Sequence, residues 1–256
     1  MNLTLEKIAV SAERLRLPHI TENASLLAEE AAEKNISYTE FLEQLLSAEV
    51  AAADERATDV LMRMAGFPFK KTLDDFEFRF QPQVKKRQLK ELATCAFIGR
   101  AENLILLGPP GVGKTHLAVA IGLAAVGKRL NAKFTTCSDM VASLTKAAEV
   151  GNLGNRLKVY VKPSLLIIDE IGFLPLDASQ ANLLFQVVCR RYENNSIILT
   201  SNKGYGEWAE VFSGDGVIAS AILDRLLHHS TTIPIKGQSY RLKDKRKSGI
   251  LGKEEG

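Results

Sequence analysis

The sequence predicts an α/β protein, an open five-stranded parallel sheet with helices on both faces, preceded by a small all-helical region. Three observations predict it. From about residue 100 onwards, short apolar runs alternate with segments of helical character. That is the pattern of strand–helix units whose strands are buried on both sides. A glycine-rich stretch follows the first apolar run, where a strand hands over to a helix. Residues 1–60, by contrast, are dominated by Leu, Ala and Glu and hold few β-branched residues.

In chain order, Leu26, Leu27 and Ala31 lie at helical spacing, as do Phe41, Leu42, Leu45 and Leu46. Ser37 and Thr39 are candidate caps for a helix beginning near Glu40. Residues 65–82 turn to Gly, Pro and aromatics, with Ala65-Gly66-Phe67-Pro68-Phe69 and Phe76-Glu77-Phe78, and read as an ordered linker. Residues 104–107 form a first strand, followed by a helix from about 114 to 126. Residues 133–136 are a second, with a helix from about Ser138. Residues 164–169 are a third, apolar until its acidic end, with a helix near 178–192. Residues 196–201 and 231–235 complete the set. Polar, charged residues 243–256 are expected to fray. The expected division is a helical domain over 1–62, an α/β domain over 63–245 and a charged tail over 246–256.

Composition excludes several classes. At 256 residues, 46% hydrophobic and 25% charged, the chain has the balance of a soluble globular protein with room for a sizeable core. No signal-type opening and no apolar run near the ~18 residues of a membrane span is present. No membrane partner and a cytoplasmic location are therefore expected. Cys95, Cys137 and Cys189 are scattered, so neither a disulfide framework nor a zinc site is indicated. The His228-His229 pair has no metal-ligand companions at a recognisable spacing and reads as structural. Residues 1–60 hold five basic and twelve acidic side chains, a net of −7 within a chain of +3, so the remainder carries +10. An acidic head on a basic body fits a polyanion partner for the body and a protein contact for the head, or else plain solvated charge.

Gly108-Pro109-Pro110-Gly111-Val112-Gly113-Lys114-Thr115 matches G-x-x-x-x-G-K-[ST] at every fixed position, between an apolar strand and a helix. Glycines let backbone N–H groups wrap phosphates without Cβ clashes, and the helix start adds its positive dipole. With His116, these residues form the nucleotide-binding set. Lys114 would neutralise β/γ-phosphate charge, and the Thr115 hydroxyl would ligate Mg²⁺. The third strand delivers Asp169 and Glu170 at its carboxyl end, where ligands sit in open parallel sheets. Asp169 would hold Mg²⁺, and Glu170 would orient and deprotonate an attacking water, making ATP hydrolysis the expected reaction. Asn202, closing the fourth strand, can hydrogen-bond the γ-phosphate or that water; it also suits a turn.

Together these residues resemble an AAA+ ATPase, and Thr72-Leu73-Asp74-Asp75-Phe76-Glu77-Phe78 is similar to the segment by which initiator-type members cover the adenine. Within them the chain resembles the clade of DnaA, the helicase loader DnaC and the transposition helper IstB, and most of its length fits IstB. The stretches that carry this are Arg63-Met64-Ala65-Gly66-Phe67-Pro68, Ile171-Gly172-Phe173-Leu174-Pro175-Leu176, Ser201-Asn202-Lys203 and Ala221-Ile222-Leu223-Asp224-Arg225-Leu226-Leu227-His228. The resemblance implies a DNA-associated bacterial ATPase whose protomers form a ring or spiral on duplex DNA, with ATP at their interfaces, and which serves a cognate transposase. It assigns Arg225 as an arginine finger acting in trans, with a helix-surface arginine paired to Asp224 as the alternative. It also implies a helical insertion lining the DNA path within 138–162, where Lys146, Arg156, Lys158 and Lys162 are candidate phosphate contacts or ordinary solvated charges. No base-reading motif is present, so backbone binding without sequence preference is expected.

One departure stands out. Only about fifteen residues follow Arg241, too few for the C-terminal helical lid of many AAA+ proteins, and Arg241 either substitutes in part for the lid's sensor or belongs to the basic tail. Two further readings stay open: a DnaC-like helicase loader, and a nucleotide-gated scaffold with negligible turnover, against which Glu170 argues.

Overall fold

The computed structural model describes residues 3–240. Arg241 and the tail 246–256 lie outside the described residues. The chain divides into two compact units, Met1–Val60 and Leu61–Gly256.

The first unit is helical: α1 (Leu3–Arg14), α2 (Pro18–Lys34) and most of α3 (Tyr38–Ala65). Pro18 starts α2, where its missing N–H is harmless, and Asn35 closes it in the left-handed conformation. Ser37, not Thr39, caps α3, its Oγ accepting from the Glu40 N–H at 3.2 Å. The small core comprises Ala12, Ile20 and Ala24 with Leu17 and Leu45 against them. Leu26, Leu42 and Leu46, apolar positions at helical spacing, are instead exposed. Glu49 is buried; its carboxylate accepts from the Ile20 N–H at 2.9 Å and from Arg56 at 2.8 Å. Burial pushes this carboxyl up, but the two donors outweigh it and hold it below its ordinary value.

The second unit is the α/β body. After the turns of residues 66–85 come α4 (Lys86–Leu92), α5 (Ala96–Gly99), β1 (Asn103–Leu107), α6 (Lys114–Gly127), β2 (Ala132–Thr136), α7 (Cys137–Glu149) and α8 (Leu153–Val161). These are followed by β3 (Leu165–Ile171), α9 (Ala178–Arg191), β4 (Ser196–Ser201), α10 (Trp208–Val211), α11 (Gly216–Leu227) and β5 (Ser230–Pro234). Among the described residues no α-helix follows β5. All strand pairs are parallel, in the order β2-β3-β4-β1-β5. The chain steps from β1 to the β2 edge and works back, so the order reverses between β4 and β1, and ligands bind outside the carboxyl ends at such a point.

Strand alternation sorts the core into two layers. Leu104, Leu106, Leu165, Ile167 and Ile198 pack with α6 and the 67–78 aromatics. Ile105, Leu166, Ile168, Ile197 and Leu199 pack with α7, α8, α9, α10 and α11. The central helix α6 is buried along most of its length, as expected where a helix is covered on both sides. Arg191, at the end of α9, is fully buried. Its Nη1 donates to the carbonyls of Tyr160, Val161 and Pro163 and its Nη2 to those of Ser164 and Ser196, tying α8 to the starts of β3 and β4. Burial lowers its pKa to about 9, so it remains charged at neutral pH. No described helix is long and apolar enough to cross a membrane.

Candidate nucleotide site

The β1 carboxyl end runs into the loop 108–113, and α6 begins at Lys114. Gly111 and Gly113 take φ of +83° and +100°, open to glycine alone at little cost. Space is short as well: a Cβ on Gly111 would overlap the Ser239 side chain, and one on Gly113 would lie 2.7 Å from the Phe76 ring. Lys114 Nζ folds over the loop and donates to the carbonyls of Gly108 and Pro109 at 2.7 and 2.9 Å. Val112 is buried and anchors the loop in the core, while Pro109 and Pro110 are exposed.

Three hydroxyl and carboxylate groups meet beneath it. Asp169 is buried, and Thr115 Oγ1 lies 3.0 Å from both of its oxygens. Thr200, fully buried on β4, donates to Asp169 Oδ1 at 2.6 Å and accepts from the Glu170 N–H at 2.9 Å. The second of those bonds follows from a break in the strand. The register of β3 on β4 shifts between Ile168 and Ile171, and Glu170 has φ +62°. A non-glycine residue in the left-handed region costs about 1–2 kcal/mol and persists where surroundings fix it. The bulge turns Glu170 out to an exposed position while Asp169 and Ile171 stay buried. Consecutive carboxylates thus have opposite settings, one held inside by hydroxyls and one free to meet solvent.

A cavity of about 310 Å³ opens beside Thr115, Thr200 and Glu170. It is lined by loop residues 110–115, by Glu170, Asn202 and Thr200, and by Phe69, Phe76, Phe80, Gln81 and Tyr240. Phe76 is brought to the cavity by the segment from Thr72 to Phe78. Asp75 Oδ2 accepts from the Thr72 N–H and hydroxyl at 2.7 and 3.0 Å, closing a turn, and these bonds hold its carboxyl below the ordinary range. His116 Nε2 donates to the Thr72 carbonyl at 2.8 Å and meets the Phe76 ring edge-on at 5.4 Å. From beyond β5, the Tyr240 N–H donates to the Gly111 carbonyl and its hydroxyl to Glu77. The Gln81 amide donates to the Gln238 carbonyl, and its Oε1 is buried without a hydrogen-bond partner among the described residues.

The dimensions and chemistry suit a nucleoside triphosphate. The loop's geometry fits phosphates, the aromatic wall fits a base, and a hydroxyl beside a buried carboxylate is the hard oxygen pair that Mg²⁺ takes.

The structure therefore brings together Gly108 through His116, Asp169, Glu170 and Asn202. It leaves Arg225 away from the cavity lining. Arg225 Nη1 donates to the Ala221 carbonyl at 2.9 Å and its guanidinium lies 5.0 Å from the Phe185 ring; no ion pair with Asp224 occurs among the described residues. Lys146 on α7, Arg156 and Lys158 on α8, and Lys162 just after it are all exposed on the helical pair between β2 and β3. Arg156 donates to Ser143 and Lys158 to Asn155. Sequence reasoning missed Thr200, Phe69, Phe80, Gln81 and Tyr240. A hydroxyl following the apolar run Ile197-Ile198-Leu199 was the only signal for Thr200, and β propensity explains it equally well.

The IstB-like ATP binding protein family matches residues 10–248. The chain belongs to this family. It is 49% identical, over 94% of its length and 96% of the relative's, to the insertion sequence IS5376 protein of Geobacillus stearothermophilus, named for ATP binding. It is 47% identical, over 97% and 94%, to the corresponding IS21 protein of Pseudomonas aeruginosa. Among solved structures, AMPPCP-bound DnaA from Aquifex aeolicus superposes with a TM-score of 0.54 at 22% identity, covering 74% of this chain and 59% of that one. The DnaC helicase loader gives 0.51 at 23% identity, covering 59% and 87%. These likenesses establish the AAA+ fold.

Proposed function

We propose that this chain is an Mg²⁺-dependent ATPase that assembles on duplex target DNA and engages an insertion-sequence transposase. The observation that carries the enzymatic part is the pair Asp169 and Glu170. The first is buried and bonded to Thr115 and Thr200, and the second is turned outward into the same cavity. A bound Mg²⁺ would neutralise phosphate charge. In the proposed site Thr115 and Asp169 hold that ion, Lys114 faces the phosphates, Glu170 takes a proton from water, and Asn202 orients that water.

Assembly has separate support. Phe173 and Leu174, 66% and 57% exposed, form an apolar lip, and Phe173 lines the cavity mouth. A neighbouring protomer would cover it and bring its own Arg225, which does not line the cavity of its own chain. The DNA reading rests on the +10 body and on the exposed Lys146, Arg156, Lys158 and Lys162. The insertion-sequence names of the relatives support the transposase as client; the acidic helical unit is the proposed contact for it or for a second copy.

The test is duplex binding by random-sequence DNA across a salt series, with and without ATP. Tight binding only with ATP, and a log–log salt slope matching several phosphate contacts, is expected. Weak binding with ATP, or no slope, would overturn the reading. Co-purification with a hexameric helicase would favour a loader instead.

A further inference from the structure

The far end of α9 and α11, outside the nucleotide cavity, carries a cluster that the ATPase reading does not use. We propose that Glu193, His228 and His229 form a binding site for a borderline divalent transition metal such as Zn²⁺ or Co²⁺. In sequence, the histidine pair has no companion; the fold supplies one from thirty-five residues upstream. Glu193 Oε1 stands 3.8 Å from His228 Nδ1 and 3.9 Å from His229 Nε2, and the three ligand atoms lie within 4.8 Å of one another. Bonds of about 2.0–2.2 Å put the donors of a tetrahedral ion about 3.3 Å apart. Side-chain rotations of under an ångström at the tips suffice for the two glutamate–histidine pairs, and the side chains, 52–55% exposed, are free to make them.

The backbone under each ligand is fixed. Glu193 sits at φ +56° in a turn closed by the Asn194 and Asn195 N–H groups on the Arg191 carbonyl. The Asn195 amide also donates to Val161, and Arg191 is the buried clamp described above. The His228 N–H donates to the Asp224 carbonyl, and the His229 carbonyl accepts from Asn103 at the start of β1. A supporting group is also in place. The Tyr192 hydroxyl lies 2.9 Å from His228 Nδ1 and also within reach of Glu193, so it can turn to the carboxylate when the nitrogen takes a metal.

The surrounding charge is mixed. Asp224 and Arg225 both face Tyr192, and Glu102, paired with Arg100, faces His229. Two imidazoles and one carboxylate select zinc-like ions over Mg²⁺, which prefers oxygen alone. Three protein ligands leave a fourth position for water or for a ligand from another molecule. Such an ion would link the end of α9 to the end of α11, the helix that carries Arg225.

The test is a Co²⁺ titration of tag-free, nucleotide-free protein in excess Mg²⁺, read by visible ligand-field absorption and followed by displacement with Zn²⁺. One Co²⁺ per chain is expected, with about tenfold or greater weakening in His229→Gln and in Glu193→Gln, and loss in the double variant His228→Gln/His229→Gln. Melting curves of the variants without metal should match the unaltered chain. No saturable absorption, absorption that survives in the double variant, or absorption that Mg²⁺ abolishes would each overturn the assignment.

Discussion

Replacing Thr200 by valine tests the centre of the proposed site through a residue whose hydroxyl is bonded to both Asp169 and the Glu170 backbone. The two side chains are nearly isosteric, so packing in β4 is kept and only the hydroxyl is lost. Two bonds go with it: the 2.6 Å bond to Asp169 Oδ1 and the 2.9 Å bond from the Glu170 N–H. A hydrogen bond to a charged group contributes about 1.5–3 kcal/mol, and an amide left unpaired costs about 1–3 kcal/mol where it is fully buried. Asp169 keeps Thr115 at 3.0 Å, and the bond from the Glu170 N–H is only part-buried. The expected loss is therefore about 2–4 kcal/mol, or roughly 2–4 °C of melting temperature per kcal/mol for a body of this size. The functional consequence is separate. Without the Thr200 hydroxyl the Asp169 carboxylate loses its tie to β4 and keeps only Thr115, and the Mg²⁺ midpoint for ATP binding should rise about tenfold or more, the effect typical of groups that hold a metal's ligands in place. Thermal melting and an Mg²⁺ titration of a fluorescent ATP analogue measure the two. Thr200→Ser should restore most of both. A valine variant that melts normally and binds at the usual Mg²⁺ concentration would refute the reasoning.

Glu170→Gln should bind ATP normally while turnover, followed by phosphate release, falls about 10²–10⁴-fold; unchanged hydrolysis would remove Glu170 from its role. Arg225→Ala should lose up to about 10³–10⁵ in rate, and mixing it with Lys114→Ala should recover activity if the arginine serves a neighbour. Arg191→Met should cost about 3 kcal/mol or more in urea unfolding, because five carbonyls, three in buried bonds and two in part-buried ones, lose a donor together, and Arg191→Lys should not rescue it, having three donors where five bonds are made. Glu49 has a folded pKa held below its ordinary value of 4.5. Its contribution is thus present above that value and is lost as pH falls through the folded pKa. Circular dichroism should show helix loss in that acid window, flattened in Glu49→Gln.

Much of the α/β body is legible in the sequence because each strand is short, apolar and bounded by turn residues. β1 and β4 lie within a residue of expectation, as does the start of α6. The exception is informative. Residues 164–169 read as a strand ending at Asp169, yet β3 continues to Ile171, since nothing in Asp-Glu-Ile announces the left-handed turn at Glu170. The loop, Asp169 and Glu170 could be found because each is a chemically unusual residue at a strand end. Thr200, Gln81 and Tyr240 could not, because their placement depends on which strands become neighbours and on where the segment after β5 returns. Leu26, Leu42 and Leu46 show the opposite failure: helical periodicity marks a face without saying what covers it. Glu193 illustrates the same limit for metal ligands, since spacing rules see only neighbours along the chain.

The contact of Tyr240 and Ser239 with Gly111 has a practical side. A shortened version of this protein ending soon after Ile235 would retain all five strands and every residue of the phosphate loop. It would nonetheless lose the hydroxyl that braces Glu77, the ring beside Phe80 and the carbonyl that steadies Gln81. Such a shortened chain would fold and still bind nucleotide poorly, and the defect would be mistaken for a faulty loop.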